Sequence, residues 1–183
     1  MTIEQFRDHW QALYGDVAPL GYRLREAFPE RWFRIHSLPE SKRYPENETE
    51  RLEILRRHNT VLSELLEPDE TFASIQVAWS LDATLEKLDN LLGQPLEWLC
   101  TKRDDETFGH FWIGWQVWQP GLLDELLRQV MEDETRFLVV ALKQKCVYAP
   151  YDGGGDLILE SQAERDAVRT RYADWLSRHP EGL

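Results

Sequence analysis

The amino-acid sequence predicts a single α+β domain, a mostly antiparallel sheet flanked by helices and packed in layers. Three observations carry that prediction. Segments with the two-residue apolar period of strands outnumber the βα alternations that a parallel sheet requires. At least two pairs of them are joined by runs too short for a crossover, which makes them hairpins. The length, 183 residues, lies within the range of one domain, and no repeat, low-complexity run or linker interrupts residues 1–183.

Thr2 and Gln5 form a capping box, and Ile3, Phe6, Trp10 and Leu13 then repeat at helical spacing until Gly15. Val17, Leu20, Leu24 and Phe28 mark a second helical segment, stopped by Pro29. A strand from Trp32 to Leu38 leads into a polar loop over 39–47, kept irregular by two prolines. Asn47 with Glu50 caps a long helix to about Leu66, whose apolar stripe runs through Leu52, Leu55, Val61, Leu62, Leu65 and Leu66 and includes His58. Phe72 to Trp79 alternates as a strand, and Ser80 or Asp82 caps a short helix with Leu81, Leu85, Leu88 and Leu92, ending at Gly93. Leu96 to Thr101 and Phe108 to Trp118 pair as a hairpin across the charged turn 102–107, and Pro120 opens a helix that ends near Met131. Phe137 to Leu142 is continuously apolar, as a central strand covered on both faces should be. Cys146 to Ala149, a glycine-rich turn over 152–156 and a short strand Leu157 to Leu159 follow. Ser161 with Glu164 caps a closing helix bearing Val168, Tyr172, Trp175 and Leu176.

The net charge of −12 is confined to residues 64–134. Residues 1–63 hold ten acidic and ten basic side chains and residues 135–183 hold seven of each, whereas the middle stretch sets sixteen acids against Lys87, Lys102, Arg103 and Arg128. Such a balance excludes nucleic acid as a partner, because phosphates are held by Lys and Arg. It suits a basic protein, or it serves solubility alone. The start is polar, without a secretory pattern, and nowhere do 18 apolar residues run together; a cytoplasmic protein without a membrane partner is expected. Cys100 and Cys146 form no metal-ligating spacing, and neither a phosphate loop, a dinucleotide fingerprint, a nucleophile elbow nor a zinc motif occurs, so no cofactor, metal or catalytic residue is assigned.

Two constellations could carry function. On Phe108 to Trp118 one face holds Phe111, Ile113, Trp115 and Val117, and the other His110, Trp112, Gln116 and Trp118. With Asp104, Asp105 and Glu106 beside it, the second face is either a docking platform for a basic partner or a surface roofed by a helix. Five of the eight Trp (Trp79, Trp98, Trp112, Trp115 and Trp118) lie in the acidic stretch. The other constellation is His36, Ser37, Lys42, Arg43 and Tyr44 with Arg57 and His58, which could hold an anion or perform acid–base chemistry, or could be core histidines and solvated charges. Asp152 to Asp156 lacks the oxygens and terminal Glu of a calcium loop and reads as a hairpin turn.

Phe137-Leu138-Val139-Val140, Tyr148-Ala149-Pro150-Tyr151-Asp152 and Tyr172-Ala173-Asp174-Trp175-Leu176 resemble the bacterial family labelled domain of unknown function 3885, over about the last 60 residues. Trp32 to Tyr44 with Arg56 to Asn59 also looks like bacterial proteins without an assigned chemistry. In the family the turn after Tyr-Asp usually reads Asp-Arg-Gly, where this chain has Gly153-Gly154-Gly155, so no role for an arginine there carries over. Some members look like neighbours of secreted polymorphic toxins. The resemblance therefore implies an immunity protein that neutralises a basic toxin or effector through an acidic, Trp-rich surface; the alternative is a small hydrolase or ligand-binding enzyme centred on the His, Ser, Lys, Arg and Tyr pocket.

Overall fold

The computed structural model describes residues 1–82, 96–102 and 107–177. Two helices precede the sheet, α1 (Ile3–Tyr14) and α2 (Gly21–Ala27). Strand β1 (Trp32–His36) leads through a 3-10 turn at Pro39–Ser41 to α3 (Glu48–Leu65). Then come β2 (Thr71–Ser80), β3 (Leu96–Lys102), β4 (Phe108–Val117) and α4 (Asp124–Met131). The chain closes with β5 (Arg136–Ala141), β6 (Cys146–Tyr151), β7 (Gly154–Ile158), α5 (Gln162–Arg171) and a 3-10 turn at Ala173–Trp175.

The seven strands form one sheet in the order β1-β7-β6-β5-β2-β4-β3, antiparallel at every step. Alternation along each strand decides which helices it meets. In β5, Phe137, Val139 and Ala141 join the core under α3, α4 and α5, while Leu138 and Val140 join the core under α1 and α2. The fold is therefore the expected α+β arrangement, with helices on both faces of an antiparallel sheet. Each fully buried Leu or Phe, such as Leu62 or Phe6, contributes roughly 1.5–3 kcal/mol of transfer free energy.

The helix starts follow their capping residues. Thr2 and Gln5 exchange the two hydrogen bonds of a capping box, and Asn47 and Ser161 each accept from the backbone three residues on. On α3 the buried stripe runs through Ile54, Leu55, His58, Val61, Leu62 and Leu65, and Leu52 is exposed, because it projects from the opposite side of the helix. Pro120 does not itself open α4. Gly121, at φ 84°, makes a turn first and donates its N–H to Asn59 Oδ1 at 2.8 Å.

The largest departure from the sequence reading is the glycine run. Gly154 and Gly155 belong to β7 rather than to a turn, and they pair with His36 and Ile35. A Cβ on Gly154 would lie 1.9 Å from the Ile35 carbonyl oxygen, and one on Gly155 2.4 Å from the Tyr148 ring, so close approach is what requires glycine here. The alternation on β2 also differs from expectation: Ser74 and Gln76, read as a semi-polar face, are both buried. The short helix expected over 81–93 falls almost wholly outside the described residues.

Candidate functional site

Helix α2 is two turns long, and among the described residues it leaves one end of the sheet open. Gly21 starts it against β6, where an added Cβ would meet the Ala149 side chain at 2.9 Å. Beside it opens a cavity of about 830 Å³, floored by β1, β7, β6, β5 and β2 and walled by α2, the loop after β1 and the turn before β5. Its charged lining comprises Arg23, Arg25, Arg34, Arg43 and Arg136 against Asp133, Asp152 and Asp156, with Tyr22, Trp79 and Tyr151 among its aromatic walls.

Strand parity sets the centre of the site. Trp32, Arg34 and His36 project to one side of β1, and Phe33 and Ile35 to the other. Arg34 clasps Asp156 on β7 with two parallel bonds, Nε to Oδ1 at 2.8 Å and a terminal nitrogen to Oδ2 at 2.9 Å. Trp32 Nε1 donates to the same Oδ1 at 2.8 Å. The Arg34 guanidinium lies 4.3 Å from the Tyr151 ring centroid, and burial pushes the Tyr151 hydroxyl up to about 12. Arg43 donates through Nε to Asp152 Oδ2 at 2.8 Å, and its two terminal nitrogens have no hydrogen-bond partner among the described residues. Arg25 packs over Trp32 and has no carboxylate partner among the described residues.

His36 stands at the edge of this floor, mostly buried, and its Nε2 has no hydrogen-bond partner among the described residues. Burial lowers its pKa, and the nearby charges of Arg34 and Arg57 lower it further, so the ring is neutral at pH 7. An orphaned nitrogen of this kind is a contact in waiting for a polar ligand group.

The residues singled out in the sequence separate into two places. His36 and Arg43 line the cavity. Ser37 and His58 are buried on the other side of the sheet, where Ser37 Oγ sits 3.1 Å from His58 Nε2 and Tyr148 OH sits 2.5 Å from His58 Nδ1. Burial holds the His58 imidazole down at about 3, so it stays neutral, and neither Ser37 nor His58 reaches the cavity. Arg57, also buried, donates to the His36 carbonyl at 2.9 Å and to Glu53 at 2.7 Å. Lys42 is held by Glu50, and Tyr44 is exposed with Arg43 against its ring.

The β4 face has a different character. His110, Trp112 and Trp118 are buried, Trp118 at 1% exposure, while Gln116 is half-buried. The indoles thus have interior contacts, as Trp118 shows against Phe72 at 6.3 Å. Asp104, Asp105 and Glu106 lie outside the described residues.

The family described as a domain of unknown function (DUF3885) matches residues 20–180. The chain belongs to that family. The DUF3885 match extends far beyond the last 60 residues and takes in every residue of the cavity from Arg23 to Asp156. No curated protein and no solved structure matches the chain. Arg34 and Arg25, which line the cavity of this DUF3885 chain, were not singled out from sequence, and Asp156 was read only as part of a hairpin turn. The parity of β1 was the available signal for Arg34; its partner lies 122 residues away.

Proposed function

We propose that the protein binds a small anionic ligand, one bearing a phosphate or carboxylate group, in the arginine-lined cavity between α2 and the β1–β7–β6 end of the sheet. One observation carries this reading: the cavity sets five arginines against three aspartates in a chain whose net charge is −12. Arg34, Arg43 and Arg136 pair with the three aspartates and Arg23 with Glu26, which leaves Arg25 as the guanidinium without a carboxylate among the described residues, and a bound anion matches such planar, forked donors. The volume falls within the range of small-molecule sites, roughly 300–1,000 Å³. His36 is a neutral polar contact beside these charges. Ser37 and His58 bond each other away from the cavity, so the arrangement supports binding rather than bond cleavage.

The test is calorimetric titration with inorganic phosphate, a dicarboxylate and a mononucleotide. Arg25→Glu is the informative variant, since Arg25 holds no carboxylate among the described residues and its loss strands no buried acid. At least one probe should bind wild type, and the variant should bind it about tenfold or more weakly, the equivalent of roughly 1.4 kcal/mol or more. Failure of all three probes to bind wild type would sink the reading.

A second reading is favoured by the segregation of charge. All five cavity arginines lie outside residues 64–134, so the acidic stretch leaves the cavity's sign intact and is available to a basic protein such as a toxin or effector, in an immunity role. Association that is indifferent to salt would rule this reading out.

A further inference from the structure

At the far edge of the sheet from the cavity, β3 and β4 bring together three side chains of different chemistry. The antiparallel register places Cys100 directly opposite His110, and the irregularity between Glu97 and Leu99 brings the Glu97 carboxylate to the same side. One carboxylate oxygen, the thiol sulfur and an imidazole nitrogen all lie within 4.8 Å of one another. We propose that Glu97, Cys100 and His110 form a binding site for one divalent transition-metal ion, zinc being the best match to a sulfur, nitrogen and oxygen donor set.

The hydrogen bonding of His110 argues for a cation there. Its Nε2 lies 3.1 Å from the carbonyl oxygen of Asp82, which can only accept, so Nε2 carries a hydrogen. Ser80 Oγ, 3.0 Å away, completes this anchoring and is itself tied to the same carbonyl. With the tautomer fixed in this way, Nδ1 presents a lone pair, and that lone pair faces Glu97 Oε1 at 3.3 Å. The positive charge that joins these two atoms is supplied either by a proton on Nδ1, which makes an ion pair with Glu97, or by a bound cation. A zinc ion bound at about 2.0–2.1 Å to each would hold N and O roughly 3.3–3.4 Å apart, close to the separation already present. A ring nitrogen that ligates while the other donates to a backbone carbonyl is the usual outer-shell arrangement of metal-bound histidine.

The remaining features are consistent. His110 is fully buried and stacks on Trp112 with centroids 5.7 Å apart, which holds the ring in place. Glu97 and Cys100 are exposed, so an ion can enter from solvent, and a water would complete four-coordination on that side. The sulfur ligates as a thiolate, so uptake of the ion would release the thiol proton. No cysteine spacing announces this site, since two ligands lie three residues apart on β3 and the third arrives only through hairpin register.

The experiment is titration of chelator-treated protein with cobalt(II), followed by the thiolate-to-cobalt charge-transfer band, and then displacement by zinc. Wild type should take up one equivalent with that band present. Cys100→Ser should abolish the band and weaken zinc binding at least tenfold, Glu97→Gln should weaken binding while keeping the band, and Cys146→Ser should leave both unchanged. Glu97 and Cys100 are exposed, so these variants should fold, which circular dichroism checks. Absence of the band in wild type, or its survival in Cys100→Ser, would overturn the proposal.

Discussion

His58 shows how burial turns one side chain into a determinant of pH-dependent stability. Its ring is 2% exposed, sits between Ser37 and Tyr148, and titrates at about 3 rather than near the ordinary 6.5 because burial penalises the charged form. The unfolded chain can take up the proton below about 6.5 and the folded protein cannot, so falling pH favours unfolding. Stability is therefore complete above that value and declines steadily as the pH drops toward 3, by roughly a few kcal/mol in all. His36 is shifted in the same direction and shares the window, so the informative comparison is with a variant. Urea unfolding of His58→Gln between about pH 6.5 and 4.5 should show a slope smaller by close to one proton than wild type. Parallel slopes would mean that His58 is not the buried neutral group the geometry makes it. His58 was visible in the sequence as a histidine on an apolar stripe. Its partners were not, because Tyr148 lies on a strand 90 residues away.

At the scale of elements, the β1–β7–β6 end of the sheet depends on two glycines. A Cβ at Gly154 would collide with the Ile35 carbonyl on the neighbouring strand, and backbone cannot move aside as a flexible side chain can. Gly154→Ala should thus cost about 3 kcal/mol or more in chemical denaturation and loosen the cavity floor with it. Unchanged stability would show that β1 does not approach β7 this closely. The glycine run was read as a turn because glycines favour turns; nothing local reveals that β1, about 120 residues earlier, comes to lie across it. Helix starts, by contrast, are local events, and Thr2, Asn47 and Ser161 marked them correctly. The unbroken apolar run of β5 likewise announced a strand covered on both sides, whereas β2 was read by its alternation. That alternation misled on β2, where Ser74 is buried and directs its hydroxyl to the Gly114 carbonyl: a small hydrogen-bonded residue can occupy an interior position without breaking the layer.

Across the whole molecule, the negative excess lies in residues 64–134, and the cavity arginines come from either side of that stretch in sequence. The two proposed modes of binding therefore respond differently to salt. An anionic ligand approaching the cavity meets overall repulsion from a chain of net charge −12 before it meets the guanidinium groups. Salt screens charges separated by more than a Debye length, about 10 Å at 0.1 M, and spares close contacts. Raising the ionic strength from about 10 to 150 mM should thus leave the ligand's association rate unchanged or raise it, while its dissociation rate increases modestly as the guanidinium contacts weaken. A basic protein drawn to the acidic stretch is steered by attraction over the same distances, and its association should slow steeply with the same additions. Stopped-flow association measured across that range separates the modes. An anionic ligand whose association slows steeply with salt would show that long-range attraction from the arginines outweighs the charge of the rest of the molecule.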